Sequence, residues 1–116
     1  MNYRRLGNSN LQVSALCLGT MMFGDQTEAV EAERIVASAR ERGVNFIDTA
    51  DVYTKGASER IVGQCLDGNR HDWVLASKHG NAMGEAPNMS GYSRTWIMRA
   101  VDDSPRRLGT DYLDLY

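Results

Sequence analysis

Three residues of this chain could together move a proton: Asp48, which closes the apolar run Val44-Asn45-Phe46-Ile47; Tyr53, in the segment that follows; and Lys78, which closes Trp73-Val74-Leu75-Ala76-Ser77. A lysine ammonium beside a phenol favours the phenolate and lowers a pKa that is otherwise about 10, which suits tyrosine to general acid catalysis. A lysine desolvated alone tends to lose its proton, so a carboxylate such as Asp48 would keep it charged and oriented. Each residue also has a plain structural reading: Asp48 as a cap or turn residue, Tyr53 as a half-buried aromatic with a wet tip, Lys78 as a solvated strand end. On residue types alone both readings stand.

What must position them is a regular succession of elements. Candidate strands around Tyr3 to Leu6 and Leu11 to Ser14 flank the turn Gly7-Asn8-Ser9-Asn10, which reads as a hairpin over residues 1–14. Ala15-Leu16-Cys17-Leu18-Gly19 is a short continuous apolar run, expected as strand one and buried on both faces. From Thr27 a helical pattern puts Ala29, Ala32, Ile35, Val36 and Ala39 on one face and ends at Gly43. Val44 to Asp48 is strand two. Ser58 can cap a second helix with Ile61, Val62, Cys65 and Leu66 inward, ending before Gly68. Trp73 to Lys78 is strand three, a loop runs from Gly80 to Gly91, and Ser93 can cap a third helix with Ile97, Val101 and Leu108 inward. Tyr112 to Tyr116 reads as strand four.

Strand and helix alternating at about 30 residues signal parallel βαβ units, so the class is α/β. Such units build either an open doubly wound sheet or a closed eight-stranded barrel, and the former usually carries GxGxxG after its first strand. Here strand one is followed by Gly19-Thr20-Met21-Met22-Phe23-Gly24, which lacks that spacing. A (β/α)8 TIM barrel is favoured. A complete barrel needs about 250 residues, and the 116 present supply a hairpin and four strands with three helices over 15–116, as one partial barrel domain truncated after strand four.

Composition narrows the partners. With 42% hydrophobic and 24% charged residues the chain reads as globular, and a net charge of -2 offers no basic stripe for nucleic acid and no polybasic segment for an anionic membrane. A small-molecule partner remains. No signal-peptide pattern follows Met1 and no apolar run could span a bilayer, which points to the cytoplasm. Cys17 and Cys65 form no CxxC pair and no metal-ligand spacing, so both are expected as buried, reduced thiols and no metal is expected.

The segments Tyr3 to Ser14 and Leu18 to Gly24 resemble the opening of the aldo-keto reductase family. Phe46-Ile47-Asp48-Thr49-Ala50-Asp51-Val52-Tyr53 with Ser58-Glu59-Arg60-Ile61-Val62-Gly63 resembles the family's catalytic Asp and Tyr segment, and Leu75-Ala76-Ser77-Lys78 resembles its lysine strand. Arg106 to Tyr116 resembles the approach to strand four. The resemblance covers essentially the whole chain, and the ordered set is more specific than any single piece.

That resemblance implies hydride transfer from NADPH to an aldehyde or ketone, with Tyr53 protonating the oxygen, Lys78 and Asp48 tuning it, and a histidine orienting the carbonyl. In the family that histidine closes strand four, beyond Tyr116; His71 reads as a solvated turn residue and His79 as a loop residue turned away from the Lys78 side. The resemblance leaves Gly19, Thr20, Met21 and Asp48 as nicotinamide-side contacts, with Gly19 as a tight turn and Met21 as core packing still open. It also admits a regulatory subunit with a reductase-like barrel, or an inert truncated product. The family-like pattern is broken at Pro105, where a kink or restart of the third helix is expected, and at Asn10, where asparagine would take a left-handed turn position. Half a barrel would leave Leu16, Leu18, Leu113 and Leu115 partly uncovered, so self-association through open strand edges is expected.

Overall fold

The computed structural model describes all 116 residues, Met1–Tyr116. Strands β1 (Tyr3–Arg5) and β2 (Gln12–Ser14) pair antiparallel as the expected hairpin, with Tyr3 opposite Ser14. Gly7 takes the left-handed conformation in its turn, at φ 56°, and Asn10 does not. The hairpin is tied to the start of the βα units by the Tyr3 hydroxyl, which donates to the Gly43 carbonyl at 2.8 Å, and by Asn45 Oδ1, which accepts from Ser14 N at 2.7 Å.

Three parallel strands follow in the order β3 (Leu18–Gly19), β4 (Phe46–Asp48), β5 (Val74–Ala76), with Gly19 beside Asp48 and Asp48 beside Ala76. Helices α1 (Ala29–Glu41), α2 (Ala57–Leu66) and α3 (Arg94–Leu108) connect or follow them. Ile47 and Leu75 are fully buried against Ala32 and Val36 of α1 and Val62 and Leu66 of α2, so one face of the sheet and the inner stripes of the helices share a single core. No helix is long and apolar enough to cross a membrane.

Four expectations need correction. Strand one is not buried on both faces: Ala15 and Cys17 are exposed and Leu16 is 63% exposed, because β3 has a neighbour on one side only. Strand four is reduced to one bridge between Leu115 and Ala76. The Asp114 side chain takes the ladder's place there, accepting from Leu75 N at 2.9 Å and from Arg70 at 2.7 Å. In α3 the buried residues are Trp96, Ala100, Ser104 and Leu108, so the inner face is rotated by one residue from Ile97 and Val101, which are half-buried. The helix runs through Pro105 without restarting. Proline there lies in the last turn, where it removes one hydrogen bond while buried Ser104 and Leu108 hold the helix on either side.

Candidate active site

The site is assembled by backbone hydrogen bonds that continue past the named strands. Thr49 N donates to Ala76 O at 3.0 Å and Asp51 N to Lys78 O at 3.1 Å, so the chain beyond β4 stays in register with the chain beyond β5. Because Asp48 sits beside Ala76, and Lys78 is two residues further on, alternation brings both side chains to the same face. The Lys78 ammonium donates to Asp48 Oδ2 at 2.6 Å and to the Thr49 carbonyl at 2.7 Å. It also lies over the Tyr53 ring, 4.6 Å from its centroid, and the phenol contributes to holding its charge. Asp48, Tyr53 and Lys78 thus converge at the C-terminal end of the parallel strands.

Partial burial pulls the Lys78 ammonium downward in pKa, but the Asp48 carboxylate and the Tyr53 phenol outweigh it and the net direction is up. With Lys78 and Asp48 side chains 46% and 37% exposed, the pair is screened by solvent and contributes little to stability. Its role is to fix a positive charge at a defined place.

Behind the pair is a polar layer that sequence reasoning assigned elsewhere. Ser58 does not cap α2, whose N-cap is Gly56 at φ 90°. Its buried hydroxyl instead donates to the Thr20 carbonyl at 2.8 Å and lies 3.0 Å and 3.2 Å from the Thr20 and Thr49 hydroxyls. Thr20 Oγ1 in turn donates to the Asp48 carbonyl at 3.0 Å. Fully buried Glu59 accepts from Ser77 Oγ at 2.6 Å and from Arg107 Nε at 2.5 Å, which anchors α2, α3 and the residue before Lys78 to one another. A run of small hydroxyl residues at strand ends was the available signal for this layer.

A cleft of about 450 Å³ lies beside Tyr53, walled by Leu18, Gly19, Met21, Phe23 and Ile35. Gly19 is open to it in the sense that no atom lies within 4 Å of where a Cβ would stand, and Met21 is 60% exposed rather than packed in the core. Thr20 is fully buried and its hydroxyl is engaged, so it shapes this wall from behind. The apolar lining and bare backbone would accept the flat face of a nicotinamide ring. A larger cavity, about 630 Å³, lies between α2 and α3 and contains none of the three convergent residues.

The two histidines differ: His79 keeps a buried Nε2 without a hydrogen-bond partner. His71 is exposed, with Nδ1 3.3 Å from the Tyr112 hydroxyl, and His79 is stacked on Tyr116 with centroids 5.1 Å apart and edge-on to Tyr92. Burial raises the Tyr116 phenol to about 12, with Asp51 and Glu59 adding to the effect. The cysteines depart from expectation: Cys17 is exposed beside Asp48 and Lys78, while Cys65 is half-buried and burial pushes its thiol up to about 11.

Comparison with known proteins gives a consistent result. A family model described as "Aldo/keto reductase family" matches residues 15–116. The chain is 42% identical over 118 residues to "Uncharacterized oxidoreductase YqkF" of Bacillus subtilis, covering 100% of this chain and 38% of that protein. It is 40% identical to "Probable voltage-gated potassium channel subunit beta" of Arabidopsis thaliana, covering 99% of this chain and 36% of that one. Among solved structures it is similar to "aldo-keto reductase AKR11C1 from Bacillus halodurans (holo form)", with a TM-score of 0.87, 44% identity, and coverage of 100% of this chain and 39% of the other. The chain therefore spans well under half the length of the relatives it matches.

Proposed function

The chain belongs to the aldo/keto reductase family, and from that premise we propose that it supplies the acid-catalytic side of an NADPH-dependent reduction of aldehydes and ketones to alcohols. The observation that carries this reading is the Lys78 ammonium held by Asp48 over the Tyr53 ring. When bound, NADPH supplies the hydride. As negative charge develops on the carbonyl oxygen, Tyr53 donates its phenol proton to it and is left as a phenolate. Lys78 stabilises that phenolate, and Asp48 keeps Lys78 protonated and in place. Gly19, Met21 and Asp48 would contact the nicotinamide side of the cofactor, with Thr20 holding the backbone of that wall. A cytoplasmic location belongs to the same reading.

The test is a chimaera in which this chain replaces the matching part of the Bacillus halodurans enzyme. It should oxidise NADPH with 4-nitrobenzaldehyde, with a preference over NADH, and lose that activity on Tyr53→Phe. A folded chimaera that binds the cofactor but turns over no aldehyde would overturn the proposal. The 116-residue chain alone is expected to show no measurable turnover, because it spans only 38% of the length of the YqkF protein it matches.

The 40% identity to the Arabidopsis protein favours one second reading, a regulatory subunit that keeps the barrel and the cofactor wall without catalysis. Cofactor binding without turnover in the chimaera is the outcome that would select it.

A further inference from the structure

The residues that follow Tyr53 adopt a backbone that their side chains disfavour. Thr54 and Lys55 lie at φ 49° and 50°, and Gly56 follows at φ 90°, three successive residues in the left-handed region. Glycine enters that region freely, but a β-branched residue there is a genuine outlier and persists only where its surroundings over-determine it. Those surroundings are visible. Thr54 Oγ1 donates to the Phe23 carbonyl at 3.1 Å, and Phe23 is buried in the core. The Thr54 methyl faces the same loop, since a Cβ on Gly24 would stand 3.6 Å from Thr54 Cγ2. At Gly56 the chain is pinned by Arg107, whose Cδ would be 2.7 Å from a Cβ there. Phe23 and Tyr53 both line the cleft beside Gly19 and Met21.

We propose that Thr54 is a positioning residue, a strained latch that ties the Tyr53 loop to the loop after β3 and thereby holds the Tyr53 ring against Lys78. This rests on the catalytic reading of Tyr53 and Lys78 given above, but its test needs neither cofactor nor substrate. The hydroxyl bond to Phe23 is made from this backbone conformation. Glycine would relieve the strain and lose that bond; serine would keep it.

Lys55 and Lys78 are the only lysines in the chain, so amine acylation followed by mass spectrometry reads Lys78 against an exposed internal reference. Asp48, Tyr53 and Cys17 are the titratable groups around Lys78. In Thr54→Gly of the 116-residue chain, Tm should rise, while Lys78 acylation relative to Lys55 at fixed pH increases several-fold as the phenol ring moves off the ammonium. Thr54→Ser should return the Lys78 rate to near that of the parent. Asn88→Gly, a strain-relieving change at another residue of positive φ, 64°, should leave the Lys78 rate alone. A Thr54→Gly chain with raised Tm and an unchanged Lys78 rate would reduce Thr54 to local strain without a positioning role. A lowered Tm would remove the strain argument, and a Thr54→Ser chain that behaves like Thr54→Gly would remove the latch.

Discussion

Lys78 and Asp48 show how a contact of little energetic weight can carry a site. Both are more than a third exposed, so Lys78→Met is expected to change stability by less than about 1 kcal/mol in urea titration. In the chimaera the same change should lower turnover by about 10²–10⁴-fold, the usual contribution of acid-base assistance. A large loss of stability with little loss of rate would reverse the assignment. Asp51 is the opposite case, a carboxylate 1% exposed with neither oxygen hydrogen-bonded. Burial raises its pKa, with Glu59 adding to the effect. A carboxyl with a raised folded-state pKa binds its proton more tightly when folded, so stability falls as pH rises past the unfolded value of about 3.9. Asp51→Asn should therefore stabilise the chain at pH 7, with the gain disappearing below about pH 4. Denaturation midpoints at the two pH values decide it; an equal gain at both would mean that ionisation of Asp51 is not the cause.

At the scale of elements, α2 and α3 approach tightly at Gly63. A Cβ on Gly63 would stand 2.3 Å from the Leu108 carbonyl oxygen, which is backbone and cannot turn aside. Gly63→Ala must push the helices apart, at a cost of about 1–3 kcal/mol, and should lower the urea midpoint accordingly. No change in the midpoint would show that the two helices pack more loosely in solution. The inner faces of α1 and α2 were legible because their apolar residues recur at helical spacing. The inner face of α3 was not, because its buried positions include Ala100 and Ser104, small residues that carry no hydrophobic signal, while the larger Ile97 and Val101 lie at the margin. Strand four was overread for a related reason: Tyr112 to Tyr116 alternates like a strand, but the Asp114 carboxylate occupies a donor that a ladder carbonyl would have used.

For the whole molecule, the two flanks of the parallel sheet carry apolar residues that nothing covers fully. Leu16 is 63% exposed and Leu115 42%, with Leu18 and Leu113 half-buried, as expected for strands without outer neighbours. Exposed edges and apolar patches drive association. The chain should therefore scatter light as an oligomer at tens of micromolar. A monomer at tens of micromolar that melts cooperatively would show that these units satisfy their own edges.

The sequence by itself determined the order of elements and the parallel strand order, and brought Asp48, Tyr53 and Lys78 forward as candidates, because alternation, helical spacing and strand-end polarity are local properties. Tertiary structure alone decided that Ser58 bonds to Thr20 rather than capping a helix, that Glu59 bridges Ser77 and Arg107, and that Thr54 is strained. Those contacts join residues 18 to 48 positions apart, or require a backbone conformation that their residue type disfavours. Which long-range partner a buried polar group finds depends on how the helices settle on the sheet, and no local pattern encodes that.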